Sequence, residues 1–341
     1  MGTIYYLIPD LHKKEFKAKD YLKAMIKGEG VAYFKNKVFR QHKPVGGIKV
    51  MYQHCMMLRE LGYEAYPLIM GKYVGNFFGY ELELKYIKDV GYDLNKGDVV
   101  VGTEFFPYQA LNFHGGKKIL FMQNWINIDK RLEPKDLTKS YNDLGYDKVI
   151  TCGQFCSEMV EAKMSMEAAT ITNGIDQEKF VPKSELRIPR RVLAMSRKNI
   201  EDLNEIVGIL KSKDVEFELF IADGLSQDEL IKEYQKADVF LVTGYPEGLP
   251  LPPIEAMNCG CAIVGFTGGG ANEYMVDGVT ALVSSDGDCI DAAKKLELLL
   301  TDIDLKERIR RAGHLKGKQY TLENTKSMIK SVFEKLEIAK D

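Results

Sequence analysis

Residues 244–270 have the sequence GYPEGLPLPPIEAMNCGCAIVGFTGGG. Two glutamates stand eight positions apart in it: Glu247 lies in a loop rich in glycine and proline, and Glu255 follows Pro252-Pro253. Because proline lacks the backbone N–H that a first helical turn leaves unpaired, these prolines predict a helix start, with Glu255 in its first turn. A helix start attracts anions, and carboxylates beside it can accept hydrogen bonds from hydroxyl groups. The stretch therefore predicts a site for a phosphate flanked by polyols, which is what a nucleotide-sugar presents.

The same stretch resembles the signature of the retaining glycosyltransferases of family 4. The shared elements are Glu247-Gly248, Leu251-Pro252, Glu255-Ala256-Met257, Gly260, Gly268-Gly269 and Glu273. The resemblance implies an α/β protein with the GT-B fold, in which two Rossmann-like domains face each other across a deep cleft. It implies that Glu247 contacts the transferred sugar and Glu255 the ribose. The residues expected to line the donor site with them are Gly248, Leu249 and Leu251.

Composition limits the class of protein. The chain has 341 residues, 45% of them apolar and 28% charged, as in a soluble globular protein of two domains. A net charge of −2 gives no overall field that favours nucleic acid. No apolar run approaches the roughly 18 residues of a membrane span, and the N-terminal MGTIYYLIPD predicts a strand instead of a signal peptide. The six cysteines form no CxxC pair, so we expect buried, reduced thiols in a cytoplasmic protein.

Short apolar strands alternate with amphipathic helices along the whole chain, which predicts parallel α/β sheets. The predicted strands are residues 4–8, 65–69, 98–102, 118–122, 148–151, 169–172, 192–195, 217–222, 238–243, 262–265 and 280–283. A polar stretch at residues 181–190 interrupts the alternation and predicts a linker. We therefore predict an N-terminal acceptor domain over residues 1–183 and a donor domain over residues 190–320. The resemblance implies that a last helix, about residues 321–341, returns to the first domain.

Two adjacent cations, Arg197 and Lys198, follow the first predicted strand of the donor domain. Ligands of such domains bind at the carboxyl ends of the strands, and a departing diphosphate needs positive charge there. The alternative is a solvated edge of the sheet. Asp223-Gly224 follow the next strand, and the resemblance implies that they border the pocket of the nucleotide base.

Several candidate residues lie in the predicted acceptor domain. Gly46-Gly47 precede a helix, where they form either a plain tight turn or, as the resemblance implies, a close approach of the backbone to the donor. Gln123 follows the strand predicted at residues 118–122, where many family members carry a histidine. Gln123 and Glu104 are candidates for the acceptor side, where a glycan, a lipid-linked compound or another hydroxyl acceptor would bind.

Two departures from the family pattern keep other functions open. Pro250 stands where the family usually has a glycine whose N–H can contact the donor, and proline cannot donate. Because Gln123 stands in place of the family's histidine, a step assisted by that histidine cannot be carried over. A nucleotide-sugar-binding protein with impaired catalysis, or another GT-B enzyme acting on nucleotide-sugars, is the alternative to a glycosyltransferase of cell-surface glycan or glycolipid synthesis.

Two acidic pairs, Asp286/Asp288 and Asp302/Asp304, superficially resemble metal-binding DxD motifs. Both precede helical patterns, which predicts N-caps and first-turn acids. The resemblance implies that neither a metal nor another cofactor is needed.

The segment 13–43 is strongly basic, with ten Lys or Arg against three acids. It is either a solvated insertion or a basic surface for an anionic acceptor or a membrane face. The second interpretation would allow peripheral contact with the inner membrane surface.

Overall fold

The computed structural model describes residues 2–9, 18–26, 28–31, 46–71 and 80–336. Most of the basic segment 13–43 lies outside these residues, apart from a helix at Ala18–Ile26 and the short stretch 28–31. Among the described residues, no helix is both long and apolar enough to cross a bilayer.

The chain divides into two compact units, Met1–Ile119 with Phe333–Asp341, and Leu120–Val332. The domain boundaries predicted at residues 183 and 190 stay a prediction. In the first unit, the ring of Phe333, near the end of the last helix, lies 6.5 Å from that of Tyr63.

The strands form two sheets. They are β1 (Thr3–Ile8), β2 (Glu64–Ile69), β3 (Lys85–Tyr86), β4 (Val99–Thr103), β5 (Lys117–Met122), β6 (Lys148–Thr151), β7 (Ala168–Thr170), β8 (Arg191–Met195), β9 (Glu218–Ala222), β10 (Val239–Val242), β11 (Ala262–Gly265) and β12 (Leu282–Val283). The first sheet has the order β3-β2-β1-β4-β5-β6-β7 and the second the order β12-β11-β10-β8-β9. The prediction of parallel α/β sheets is confirmed, since β8, β10 and β11 pair in parallel, as do β1 and β2.

Helices connect these strands, as parallel pairing requires. Those that the structure describes are α1 (Ala18–Ile26), α2 (Gly46–Glu60), α3 (Ile87–Val90), α4 (Asn127–Lys130), α5 (Tyr141–Leu144), α6 (Gln154–Met164), α7 (Ile200–Ser212), α8 (Gln227–Lys236), α9 (Leu251–Asn258), α10 (Cys289–Thr301), α11 (Ile303–Gly317) and α12 (Leu322–Glu334).

The core of the second sheet follows the two periodicities of the sequence. Alternate residues of β8, β10 and β11 point to one face: Val192, Ala194, Val239, Leu241, Ala262 and Val264. They pack against Leu203, Ile206 and Leu210, which recur at helical spacing along α7, and against α10. Fully burying one valine, leucine or isoleucine side chain stabilises the fold by about 1.5–3 kcal/mol, so this packed face holds the second sheet and its helices together.

All six cysteines are buried, as predicted. Burial raises the pKa of the Cys261 thiol to about 12. Such thiols are packing groups and not nucleophiles.

Candidate active site

The strand order of the second sheet creates a crevice between β8 and β10. From β8 the chain passes to β9 on one side and then to β10 on the other, which is a topological switch point. Ligands of open α/β sheets bind outside the carboxyl ends of the strands at such a point. Arg197 and Lys198 follow β8, and Glu247 follows β10. The sheet thus brings these three predicted site residues to one place.

The three side chains contact one another directly. Lys198 Nζ lies 2.8 Å from Glu247 Oε1, and Arg197 Nη2 lies 3.4 Å from the same oxygen. Glu247 is 16% exposed, whereas Lys198 is 33% and Arg197 is 64% exposed. Two cations therefore share one carboxylate, leaving an excess of positive charge on the solvent side of the crevice.

The loop that carries Glu247 is held from both sides. The Lys198 ammonium donates a second hydrogen bond to the carbonyl of Pro246, at 2.9 Å. The side-chain amide of Asn124, which follows β5, donates to the same carbonyl at 3.2 Å. The position of Glu247 is thus set by the loop backbone as well as by its ion pairs.

A glycine turn at residues 268–270 supports the other side of Glu247. The backbone N–H of Glu247 donates to Gly268 O at 2.8 Å, and the N–H of Gly270 donates to Glu247 O at 3.1 Å. Trp125 Nε1 also donates to Gly268 O, at 3.1 Å. A Cβ atom on Gly270 would lie 1.7 Å from the carbonyl oxygen of Gly248, so only glycine permits this approach.

A close approach of two backbone segments also explains why residue 248 is a glycine. A Cβ atom there would lie 1.9 Å from the backbone oxygen of Gln123. Of the other predicted donor-site residues, Leu249 is 6% exposed and Leu251 begins α9. Gln123 therefore meets the Glu247 loop through its backbone.

The two acidic pairs have different roles in the structure. Asp288 and Asp302 are N-caps: their side chains accept from the N–H groups of Asp291 and Leu305, as predicted. Asp286 is not a cap. Its Oδ1 accepts from the N–H of Gly268 at 3.0 Å, which fixes the glycine turn. Within the described part of the chain, no group of three or more His, Cys, Asp or Glu is arranged to hold a metal ion.

We expect Asp286→Ala to lower turnover about tenfold while the protein stays folded. The change removes a charged acceptor from Gly268, worth about 1.5–3 kcal/mol, and frees the turn that holds Glu247. The matched control is Asp288→Ala, which removes an N-cap worth about 1 kcal/mol but does not contact the turn. Thermal melting and turnover should be measured for both. Equal turnover in the two variants would show that Asp286 does not position Glu247.

Glu255 lies further along its helix than predicted, and it is buried. Helix α9 begins at Leu251, so Glu255 is its fifth residue, and the expectation of a first-turn position was wrong. Its side chain is 7% exposed and accepts a hydrogen bond of 3.1 Å from the Tyr234 hydroxyl. Burial, and then the charge of Glu255, raises the pKa of Tyr234, which keeps this tyrosine a donor.

The start of α9 offers fewer N–H donors than the sequence interpretation assumed. The first four residues of a helix have N–H groups without a partner in the helix. Here these residues include Pro252 and Pro253, which have no N–H, and Pro250 is the N-cap. Among the described residues, Arg197 and Lys198 are therefore the main source of positive charge at this site.

Glu273 caps a helix from a distant part of the sequence. Its Oε1 accepts from the N–H of Phe155 at 2.8 Å, at the start of α6, where the N-cap Gly153 has no side chain to do so. Burial raises the pKa of Glu273, while the hydrogen bond from Phe155 opposes this shift. Glu273 belongs to the shared signature together with Gly268-Gly269, but its place in the sequence does not show that its side chain caps α6.

The remaining predicted residues are divided between the two sheets. Asp223 and Gly224 follow β9, the neighbour of β8, at the same edge of the second sheet. In the first unit, Gly46 and Gly47 begin α2, and Glu104 follows β4 with 0% exposure. Asn124, Trp125 and Asp286 were not predicted as site residues. Their positions directly after strands are the signal that could have indicated them.

The family comparison covers the region of this site. Residues 199–316 match the family model described as glycosyl transferases group 1. The matched region is 118 of the 341 residues long. It contains Glu247, Glu255 and Asp286, and it starts directly after Lys198.

Two curated proteins are similar in sequence. The sulfoquinovosyl transferase SQD2 of Arabidopsis thaliana is 28% identical, over 43% of this chain and 36% of its own length. An uncharacterized glycosyltransferase of Methanocaldococcus jannaschii is 20% identical, over 58% of this chain and 62% of its own length. The chain thus spans about a third to three fifths of the curated relatives it matches.

Solved structures resemble the chain over nearly its full length. The sucrose-phosphate synthase of Thermosynechococcus elongatus has a TM-score of 0.69 and 13% identity, covering 98% of this chain and 99% of its own. Anabaena HepE, solved in complex with UDP and glucose, has a TM-score of 0.67 and 12% identity, covering 99% and 100%. The fold is therefore that of the GT-B glycosyltransferases, with two Rossmann-like domains, as predicted.

Proposed function

We propose that this protein is a retaining glycosyltransferase, which moves a sugar from a nucleotide-sugar to a hydroxyl acceptor in cell-surface glycan or glycolipid synthesis. The observation that carries the proposal is the convergence of Arg197 and Lys198 on Glu247 at the switch point of the second sheet. The similarity of residues 199–316 to group 1 glycosyl transferases supports the reaction class.

The cations would stabilise charge on the leaving diphosphate. As the bond between the anomeric carbon and the phosphate oxygen breaks, negative charge grows on that oxygen. Arg197 and Lys198 are fixed beside Glu247 before the reaction, and preorganised groups of this kind supply the largest single term in many enzymes.

The glutamates would bind the two polyol parts of the donor. Glu247 would accept hydrogen bonds from hydroxyls of the transferred sugar, and Glu255 from the ribose. Attack on the same face of the sugar, with the leaving phosphate accepting the acceptor's proton, needs no covalent intermediate on either glutamate. Gly248 lets the Glu247 loop pack closely against the backbone of Gln123, which helps to hold Glu247 in place.

The reaction should not need a metal ion. We expect turnover to persist in excess EDTA, because arginine and lysine side chains supply the positive charge that a divalent cation would otherwise bring. Turnover should be compared in EDTA, in EDTA with surplus magnesium, and in EDTA with surplus manganese. Complete loss in EDTA that either ion restores would contradict this metal-free mechanism.

The function is tested by the release of nucleoside diphosphate. The protein should be screened for stabilisation by a panel of nucleotide-sugars, and those that bind should be incubated with candidate acceptors. A glycosyltransferase releases nucleoside diphosphate and forms a product whose anomeric configuration, measured by NMR, matches that of the donor. Binding without release would instead favour a nucleotide-sugar-binding protein with impaired catalysis. Pro250 gives a reason for this, since it has no N–H to donate a hydrogen bond to the nucleotide-sugar.

A further inference from the structure

A second charged feature of the Leu120–Val332 unit is a surface cavity of about 870 Å³. Its lining includes four arginines, Arg187, Arg308, Arg310 and Arg311, and we refer to it as the arginine cavity. Arg187 precedes β8 and the lining residue Gly260 precedes β11, so the cavity lies at the amino ends of the strands. Glu247 follows the carboxyl end of β10, at the opposite edge of the same sheet. The arginine cavity is therefore separate from the candidate active site.

Two of the arginines are fixed by the fold. Arg187 donates to the carbonyls of Gly260 and Cys259, at 2.5 and 3.4 Å, at the end of α9. Arg310 binds the carboxylate of the buried Asp238, which also accepts from Lys306 Nζ at 2.7 Å. Burial lowers the pKa of Arg187, and the nearby charge of Arg310 lowers it further.

Positive charge exceeds negative charge around the cavity. Among the described residues that line it, Glu307 is the one acidic residue, and it pairs with Arg310. Against the four arginines, this leaves three positive charges. Behind the lining, Asp238 is offset by Lys306. Within the described residues, the Nε atoms of both Arg187 and Arg310 are buried without a hydrogen-bond partner. A fold that gathers more basic than acidic side chains in a hollow creates a positive potential that draws in an anion.

The remaining two arginines are available to such an anion. Arg308 and Arg311 stand three residues apart on α11, hence on one face of the helix, and both are exposed. Guanidinium groups bind phosphate through two parallel hydrogen bonds, with better geometry than an ammonium group allows. Leu315, on the next turn, is 62% exposed and adds an apolar wall.

We propose that the arginine cavity is a binding site for the phosphate group of a ligand, distinct from the site of sugar transfer. The phosphate would contact Arg308 and Arg311. The fixed guanidinium groups of Arg187 and Arg310 would make the electrostatic potential of the cavity more positive. The ligand is either a phosphorylated compound in solution or the phosphate of an anionic lipid. Binding should weaken as ionic strength rises, since exposed charges are screened within about 10 Å at 0.1 M salt.

The test uses inorganic pyrophosphate as the probe, with affinity measured by equilibrium dialysis at low salt. Four forms of the full chain are compared: the parent, Arg308→Ala/Arg311→Ala, Arg197→Ala/Lys198→Ala, and Lys211→Ala/Lys232→Ala, which removes the same charge from exposed positions on α7 and α8. We expect affinity to fall at least tenfold in the Arg308/Arg311 variant and to stay within twofold in the Lys211/Lys232 control. A further variant, Arg308→Lys/Arg311→Lys, keeps the charge and should recover only part of the affinity.

A second arm identifies the source of the phosphate. Cosedimentation is measured with vesicles of phosphatidylglycerol and, as a neutral control, of phosphatidylcholine. Binding to phosphatidylglycerol vesicles alone, lost in the Arg308/Arg311 variant, would identify a lipid headgroup even if pyrophosphate does not bind. Pyrophosphate binding that is lost only in the Arg197/Lys198 variant would place the probe in the candidate active site and overturn the proposal. Equal binding by all variants, or none to either probe, would overturn it as well.

Discussion

Replacing Arg197 and Lys198 together with alanine should lower turnover about a hundredfold or more. The estimate follows from the loss of preorganised groups that stabilise charge in the transition state. Lys198 and Arg197 are 33% and 64% exposed, and exposed ion pairs contribute about 0–1 kcal/mol to stability. The variant should therefore fold, with a melting temperature close to that of the parent.

The control for this experiment is Lys211→Ala/Lys232→Ala, which removes two exposed cations away from β8 and β10. Turnover should be measured at saturating donor, so that weaker binding is not mistaken for slower chemistry. A folded Arg197/Lys198 variant with the parent's turnover would remove both cations from the site. Loss of turnover in the control as well would mean that net charge, and not position, is responsible.

The sequence predicts the main parts of this site because they follow strands. In a parallel sheet, the residues after each strand meet at one edge, so strand patterns alone bring Arg197-Lys198 and Glu247 together. What strand patterns cannot show is that both cations share one oxygen of Glu247. That arrangement depends on the path of the loop. Asn124 and Lys198 fix this path by donating hydrogen bonds to the carbonyl of Pro246.

Long-range contacts explain the residues that the sequence does not reveal. Trp125 binds Gly268 across 143 positions of sequence, and Asp286 binds the same glycine from the other side. Neither contact has a local pattern, since each depends on how β5, β11 and β12 end. Asp286 was grouped with Asp288 by spacing alone, although only Asp288 caps a helix.

Some predicted boundaries of helices and strands differ from those of the structure for identifiable reasons. Proline is tolerated anywhere in a first helical turn, so Pro252 and Pro253 do not fix which residue begins α9. The strand predicted at residues 280–283 is shorter, at Leu282–Val283, because the Thr280 side chain is used in a turn. Its hydroxyl accepts from the N–H of Val276 at 2.8 Å and donates to Tyr274 O at 2.5 Å. Thr280 has a high β propensity, but its side-chain hydrogen bonds hold it in a turn instead of a strand.

The two glutamates should differ in what their loss changes. We expect Glu247→Gln to lower turnover about a hundredfold with little change in donor affinity, because Glu247 is paired with the cations at the centre where charge develops. Glu255→Gln should instead weaken donor binding about tenfold or more, by the loss of a charged acceptor for hydroxyls that do not react. Glutamine keeps an acceptor for the Tyr234 hydroxyl, so the buried contact survives.

Donor affinity by calorimetry and turnover at saturating donor should be measured on both variants, which serve as controls for each other. Each exchange preserves side-chain size, so a similar melting temperature in both would exclude a loss of folding as the cause. If Glu247→Gln abolishes nucleotide binding while Glu255→Gln leaves it intact, the donor lies in the opposite orientation to the one proposed. If both variants match the parent in affinity and turnover, the corner between β10 and α9 is structural, and the chemistry takes place elsewhere.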